Sequence, residues 1–522
     1  MKRIKLFFYG LIITSPLVFT ACTKSFLNVE PQGLLQLSTD DSAVNQLVTG
    51  VYSSLIYISP SDGYTYDTHG VSFIAATNIM SDDADKGSTS GDQPGIAELD
   101  NFTISTNNAF VAALWNGYYV GIARCNQALA SIGTSKLDAT TKATLSGEVR
   151  FIRGYYYFNL VRFFGDVPKV LVLPTSPQQV ETDSVFLVRD AAADIYATVI
   201  IPDLQYAIDN LKIKAATTTG RITQGAAQTL LAKVYMYQKN WGGVLTETQA
   251  VINSAQYQLD PDYSRLWRQA GDNGVESIFE IETAPNNNKD GGIPDYCTYQ
   301  GPRSNGGTWN NPADTYDPNG DLGFGFCVPT TNLINTYEPG DVRKAATIIF
   351  INTAGANNVG ATLFDGYVIP AVGTQDIYYN YKAYHSEITE TFFNDRDHKD
   401  KNVHLLRYAE VFLMEAEALN ETGHSQDAID TINHQIRSRA GLPPSTVPVT
   451  QDSVRAAIYK ERRLELAMEH DRFFDIVRQG NAATIMHAAG KSNFVAGKNE
   501  VLPIPETQIQ LSGGKLTQNN GY

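Results

Sequence analysis

The sequence predicts a mainly α protein, built of stacked helical hairpins with long irregular loop-rich insertions. Three observations predict it. Apolar residues recur at helical spacing through both ends of the chain, and the helices come in pairs joined by short turns. Between the two helical blocks, residues 285–329 hold eight Gly, six Pro and seven Asn, which neither a regular helix nor a central strand tolerates. A chain of 522 residues also exceeds one ordinary core, so two or three folding units are expected. Apolar residues at 43% and charged residues at 18% suffice for a sizeable interior and exclude a wholly disordered chain. Fifty-five acids against 40 bases give a net charge of −15, which phosphate backbones repel, so nucleic acid is excluded as a partner class.

The first element is an export signal. Met1–Lys5 is short and basic, and Leu6–Phe19 is an almost wholly apolar stretch of 14 residues. That pattern fits a secretory segment and is too short to cross a bilayer easily. Phe19-Thr20-Ala21-Cys22 follows, with small residues ahead of a cysteine. In that arrangement the Cys22 thiol takes a thioether lipid and becomes the mature N-terminus. Residues 1–21 are therefore expected to be removed and the rest to be exported, soluble in bulk and tethered by lipid. No later run approaches about 18 apolar residues. Of the other cysteines, Cys125 lies in helical phase with Ile122 and Leu129 and reads as a buried thiol. Cys297 and Cys327 fall in the loop-rich region, where pairing in an oxidising compartment is left open.

The helices follow in order. Val44, Leu47, Val48, Val51 and Leu55 mark the first, after the capping candidates Ser38 and Thr39. Phe110, Leu114, Ile122, Cys125 and Leu129 mark a second. Leu145, Val149, Ile152, Tyr156, Leu160 and Phe163 mark a third, closed by Gly165 and Pro168. Residues 183–211 give a fourth that Pro202 bends or breaks. A hairpin joins 223–239 to 243–254 around Asn240-Trp241-Gly242, and another joins 404–421 to 425–439 across Thr422-Gly423-His424. One last long helix is expected from Asp452 to Arg478. Paired helices of this size, with Ala226, Ala227 and Ala232 at the crossings, resemble tetratricopeptide units, although no strict 34-residue period is present.

Residues that could carry chemistry are few. The eight histidines form no pair at a recognisable metal-ligand spacing, and there is no nucleophile elbow or phosphate-cradling loop. No cofactor is expected. Ser81-Asp82-Asp83-Ala84-Asp85-Lys86-Gly87 has some flavour of a calcium loop but lacks the spaced acids and terminal Glu, and reads rather as a solvated turn. Glu461, Arg462, Arg463, Glu465, Glu469, Asp471, Arg472 and Asp475 read as structural pairs at i, i+3 and i+4 on a helix whose other face is apolar.

Five segments in order resemble the RagB/SusD family of surface glycan-binding lipoproteins. They are Phe26-Leu27-Asn28-Val29-Glu30-Pro31-Gln32; Gly323 to Thr330 with Tyr337 to Asp341 and Arg343; Tyr459 to Leu466 running on to Arg478; Leu502 to Pro505; and Leu516 to Tyr522. The resemblance covers essentially the whole chain. It implies a helical scaffold with tetratricopeptide-like units, a non-catalytic capture role, and a place on the outer membrane as the lid of a SusC-like TonB-dependent β-barrel transporter. Surface exposure is less plainly written, because Thr23-Lys24-Ser25 lacks an acidic run. The expected units are the signal peptide 1–21, a helical domain 22–235, a hairpin and connection 236–284, a loop-rich ligand-binding region 285–400, and a helical region 401–522.

The binding surface is expected on the loops of 285–329. Sugar rings stack on aromatic faces while their hydroxyls take amide and charged partners. Trp309, in Ser304-Asn-Gly-Gly-Thr-Trp-Asn-Asn311, is the leading stacking candidate; the alternative is that it pins its own loop to the scaffold. Tyr296 and Tyr299 could extend the platform, and Arg303 and Asn310 could bond hydroxyls. The resemblance implies that 81–87 leads into a ligand-facing loop, so Asp82, Asp83 and Asp85 are further candidates. Residues 87–98 carry no aromatic, where the starch-binding type of the family supplies a stacking Trp, and starch is therefore not the preferred ligand. Three readings stay open: an oligosaccharide-binding lipoprotein, a peptide-capturing relative on the same scaffold, and a helical glycoside hydrolase, whose carboxylate pair sequence spacing does not reveal.

Overall fold

The computed structural model describes residues 41–56, 65–284, 292–306, 309 and 322–522. The expected helices form because their caps and apolar faces agree. Asn108 opens Ala109–Thr134 by accepting from the backbone N–H groups of Phe110 and Val111 at 3.0 and 3.2 Å. Asp138 opens Ala139–Phe164 through the Thr141 N–H, and Thr223, Asn240 and Thr450 do the same for Gln224–Tyr237, Trp241–Asn253 and Gln451–Glu465. Each such cap contributes about 1 kcal/mol. Asp41–Ser53 packs on Ala109–Thr134, which packs on Ala139–Phe164. Gln224–Tyr237 pairs with Trp241–Asn253, which in turn lies on Tyr408–Glu421, so the two helical blocks stack directly. One apolar interior holds Val44, Tyr156, Leu230, Leu413 and Phe473 together.

Three expectations are corrected. The fourth helix is not continuous from 183: Ser184–Leu187 stops where Asp190 bridges to Val167, and a new run starts at Ala192. Within that run a π-turn, Tyr196–Ile200, immediately precedes Ile201–Asn210 and absorbs Pro202, which has no N–H to give the preceding turn. Residues 403–407 are a strand, antiparallel to Ser277–Ile281, rather than the start of Tyr408–Glu421. The last helix breaks between Gln451–Glu465 and Arg472–Arg478, where Met468 and His470 adopt φ of 65° and 73°. The Asn78 side chain holds that turn, accepting from the His470 N–H at 3.1 Å and donating to the Met468 carbonyl at 3.3 Å.

The charges of this C-terminal segment are structural, as expected, but their partners lie mostly on other elements. Buried Glu465 accepts from Arg407 at 2.6 Å and Arg343 at 3.3 Å and also pairs with Arg439. Glu461 binds Arg343 at 2.9 Å, Arg462 binds Glu410 and Asp475 at 2.7 Å each, and Glu469 binds Lys382 at 2.6 Å. Burial alone would raise the Glu465 pKa. Arg439, Arg407 and Arg343 more than reverse that and hold its carboxyl below the usual range.

Among the described residues, the strands form four two-stranded antiparallel ribbons. Two of them, Ile348–Phe350 with Tyr378–Asn380 and Val359–Thr362 with Val368–Pro370, close a second, smaller core around Trp309.

Candidate functional site

Four stretches of chain meet at one face, and they are tied mainly through their backbones. Strand Ala84–Gly87 pairs with Phe326–Pro329. The Ser88 N–H donates to the Gly325 carbonyl at 2.7 Å, Gly325 to Gly301 at 3.0 Å, and Phe324 to Thr298 at 2.7 Å. The Asn305 N–H reaches the Gly373 carbonyl at 2.7 Å, and the Gln375 N–H reaches the Arg303 carbonyl at 2.9 Å. Approach this close needs glycine. A Cβ on Gly323 would lie 2.2 Å from the Thr298 oxygen, and one on Gly301 would lie 2.3 Å from the Leu322 oxygen. Gly325 takes φ +75°, which turns the chain so that the preceding ring points outward.

That ring is Phe324, 37% exposed among buried neighbours. Tyr299 supports it edge-on at 6.0 Å between ring centres, and Tyr299 is itself stacked on Phe326 at 4.4 Å. The Arg396 guanidinium lies 5.8 Å from the Phe324 ring centre. Beside this ladder, Arg303 donates from Nη1 to both Asp92 Oδ2 and the Ser88 hydroxyl oxygen, while the Ser88 hydroxyl donates to Asp92 Oδ2 at 2.7 Å. The Arg303 and Asp92 side chains are 30% and 36% exposed. Arg303 and Ser88 hold the Asp92 carboxyl well below the usual carboxylate range. Lys86 is buried and spends its ammonium on the Thr89 and Gly87 carbonyls at 2.7 and 3.2 Å. Half-buried Asp376 is pushed up by burial and by Asp85, against the Ser88 backbone N–H and Lys86.

The arrangement offers one aromatic face for stacking, flanked by hydroxyl, carboxylate, guanidinium and amide groups at hydrogen-bonding reach of a polyhydroxylated ligand. Among the described residues, no three His, Cys, Asp or Glu side chains converge to hold a metal ion.

The structure sorts the sequence candidates. Arg303 lies at this face, and Asp85 is at its edge with its side chain 61% exposed, 3.9 Å from Lys491. Trp309 does not offer a platform: at 2% exposure it fills the small core with Leu322, Ile351, Tyr367 and Tyr379, so the loop-pinning alternative holds. Tyr296 and Tyr299 are buried too; the Tyr296 hydroxyl meets His470 Nε2 at 3.0 Å, and Tyr299 backs Phe324. Asp82 and Asp83 point inward, Asp82 to Arg472 at 2.7 Å and Arg463 at 2.9 Å, Asp83 to Arg463 at 2.7 Å. Two arginines on the signature helices claim both carboxylates, which leaves none for a ligand. Cys297 and Cys327 are separate buried thiols, and burial pushes Cys297 up to about 11. Asn310 and Cys22 lie outside the described residues.

Phe324, Ser88 and Asp92 were not singled out by the sequence reading. The available signal was the Gly-Phe-Gly triplet, since glycine on both sides of an aromatic marks a tight turn that exposes the ring.

Comparison with known proteins agrees along the whole chain. Residues 275–522 match the model of the SusD family, and residues 26–236 match a model described as starch-binding associating with outer membrane. SusD-like protein P2 of Formosa agariphila is 27% identical over 540 residues, covering 100% of both chains. A solved laminarin binding SusD-like protein is 30% identical with a TM-score of 0.75, covering 93% of this chain and 100% of its own. Surface glycan-binding protein A from Bacteroides fluxus is 25% identical with a TM-score of 0.74, again over 93% and 100%.

Proposed function

The chain belongs to the SusD family, and from that premise we propose that it is a non-catalytic protein that captures oligosaccharides at the outer membrane. Phe324 is the observation that carries the reading. It is a ring left partly open on a glycine-built turn, beside the linked Ser88, Asp92 and Arg303 side chains, which is the chemistry a sugar ring with its hydroxyls asks for. The laminarin-binding relative supports a glycan as the ligand class. Cys22 tethers the protein by lipid, and captured chains pass to a SusC-like TonB-dependent β-barrel beside which the tether keeps it concentrated.

The test is titration of laminarin oligosaccharides and a peptide pool into the wild type and Phe324→Ala. Glycan binding that weakens about tenfold in the variant, with no sugar released and melting unchanged, supports the reading. Release of reducing ends makes the protein an enzyme, capture of peptides alone makes it a peptide binder, and unchanged affinity removes Phe324 from the site.

A further inference from the structure

Among the described residues, the cations beside Phe324 and Arg303 are already engaged, and this bears on which glycans can bind there. Lys86 is buried under Phe326, with its ammonium bonded to two backbone carbonyls. Arg396 is buried behind Phe324. Arg303 is the described guanidinium that reaches solvent at this face, and Asp92 holds it through the same Nη1 that bonds Ser88. Asp85, Asp92 and Asp376 stand with these three cations, Asp85 being the most exposed of the six, while Lys491, 3.9 Å from Asp85, is buried and bonded to Asp100 at 2.5 Å. Among these described groups a polyanionic glycan would find no exposed cation without a carboxylate or carbonyl partner, and would need to pull Arg303 from Asp92 to gain a charge-assisted bond.

We propose that Asp92 is a specificity-determining residue: by holding Arg303 in an ion pair it restricts the face to neutral glycans and excludes uronate and sulfated ones. The proposal rests on the oligosaccharide reading and adds the substrate class. Discrimination here works by occupation. The guanidinium that would recognise a carboxylate is present but spent on a carboxylate of the chain itself. Arg303 then serves neutral ligands through its remaining N–H donors, as an oriented hydrogen-bonding group rather than as a free charge.

The experiment is affinity electrophoresis in gels containing laminarin, a neutral glucan, or polygalacturonate, a polyanion. Wild type is expected to be retarded by laminarin only. Asp92→Asn is expected to gain about tenfold in retention by polygalacturonate, because the uncaged guanidinium now donates to an external carboxylate. The double variant Asp92→Asn with Arg303→Gln is expected to lose that gain. Laminarin binding by the wild type should also hold steady between 50 and 500 mM salt, a range chosen to span strong and weak screening. Retention of wild type by polygalacturonate, no gain in Asp92→Asn, or a gain that survives loss of Arg303 overturns the proposal and leaves glycan capture standing. So does a steep salt dependence of laminarin binding, which reads on the wild type and does not depend on how the variants fold. Failure of wild type to bind either polymer, in contrast, brings down the oligosaccharide reading and the proposal with it.

Discussion

At the buried face of the helix Gln451–Glu465, Arg343, Arg407 and Arg462 are almost wholly buried and share Glu461, Glu465, Glu410 and Asp475 among them. At the loop face, Arg303 and Asp92 are each about a third exposed and hold mainly one another. Residue types are the same in both places; the surroundings differ. In the interior each charge has been stripped of water, so it depends on several partners at once, and removing one strands the rest. At the loop face water stands in for a lost partner, and the pair contributes little to stability. The difference teaches where stability and recognition are separately written: buried pairs fix how the hairpins and loops dock, and shallow ones remain available to a ligand.

The sharpest way to break this contrast is Glu465→Ala. It leaves Arg343, Arg407 and Arg439 facing one another without their shared carboxylate, and is expected to cost about 3–5 kcal/mol in urea denaturation. A loss under about 1 kcal/mol, as for a surface pair, would erase the distinction. Trp309→Ala comes next, at about 3 kcal/mol, because it empties the centre of the small core. Glycan affinity of the protein that remains folded should change little, whereas lost affinity with unchanged melting would return Trp309 to the site.

A pH effect follows in size. Burial lowers the His470 pKa to about 4, against the pull of Asp471 and Glu469, so the folded protein keeps this imidazole neutral where the unfolded chain charges it. The unfolded state then binds the extra proton, and this group's contribution to stability is intact above about pH 6.5 and lost as pH falls toward 4. His470→Gln should flatten the acid limb of the stability profile by up to about 1.4 kcal/mol per pH unit in that window. An unchanged slope would show that His470 is charged in the fold. The smallest effect is Asp92→Asn on melting, expected within about 0.5 kcal/mol because its pair is open to water. A larger loss would place the loop pair with the interior ones.

Much of the scaffold was legible because its signals are local. The apolar periodicity located the helices, and Asn108, Asp138, Thr223 and Asn240 cap them from directly ahead, although the capping candidates named from sequence, Ser38 and Thr39, lie outside the described residues. The break at Met468 and His470 was not, since non-glycine residues in left-handed geometry leave no mark in composition. The structural role of the charges in Tyr459–Arg478 was readable, but not their partners: Asp82 meets Arg472 across 390 positions of chain. The site was the least legible part. An aromatic in a glycine-rich loop is equally consistent with a platform and with a plug, and Trp309 against Phe324 shows both outcomes within 16 positions of sequence. Burial decides between them, and burial there depends on Ile349, Ile369 and Tyr379, which arrive from two ribbons later in the chain.

The glycine contacts of the loop face also set how this surface can change. Its shape is held by main chain against main chain, at Gly301 against Leu322 and Gly323 against Thr298, so the frame makes almost no demand on which side chains it displays. Phe324, Asp92 and Arg303 are in that sense passengers, open to exchange one at a time without refolding their supports. The four stretches thus behave as a display frame for mutagenesis. Libraries varied at positions 88, 92, 303, 305 and 324, with positions 301, 323 and 325 kept as glycine, should yield folded proteins at high frequency and sample ligand preference instead of stability.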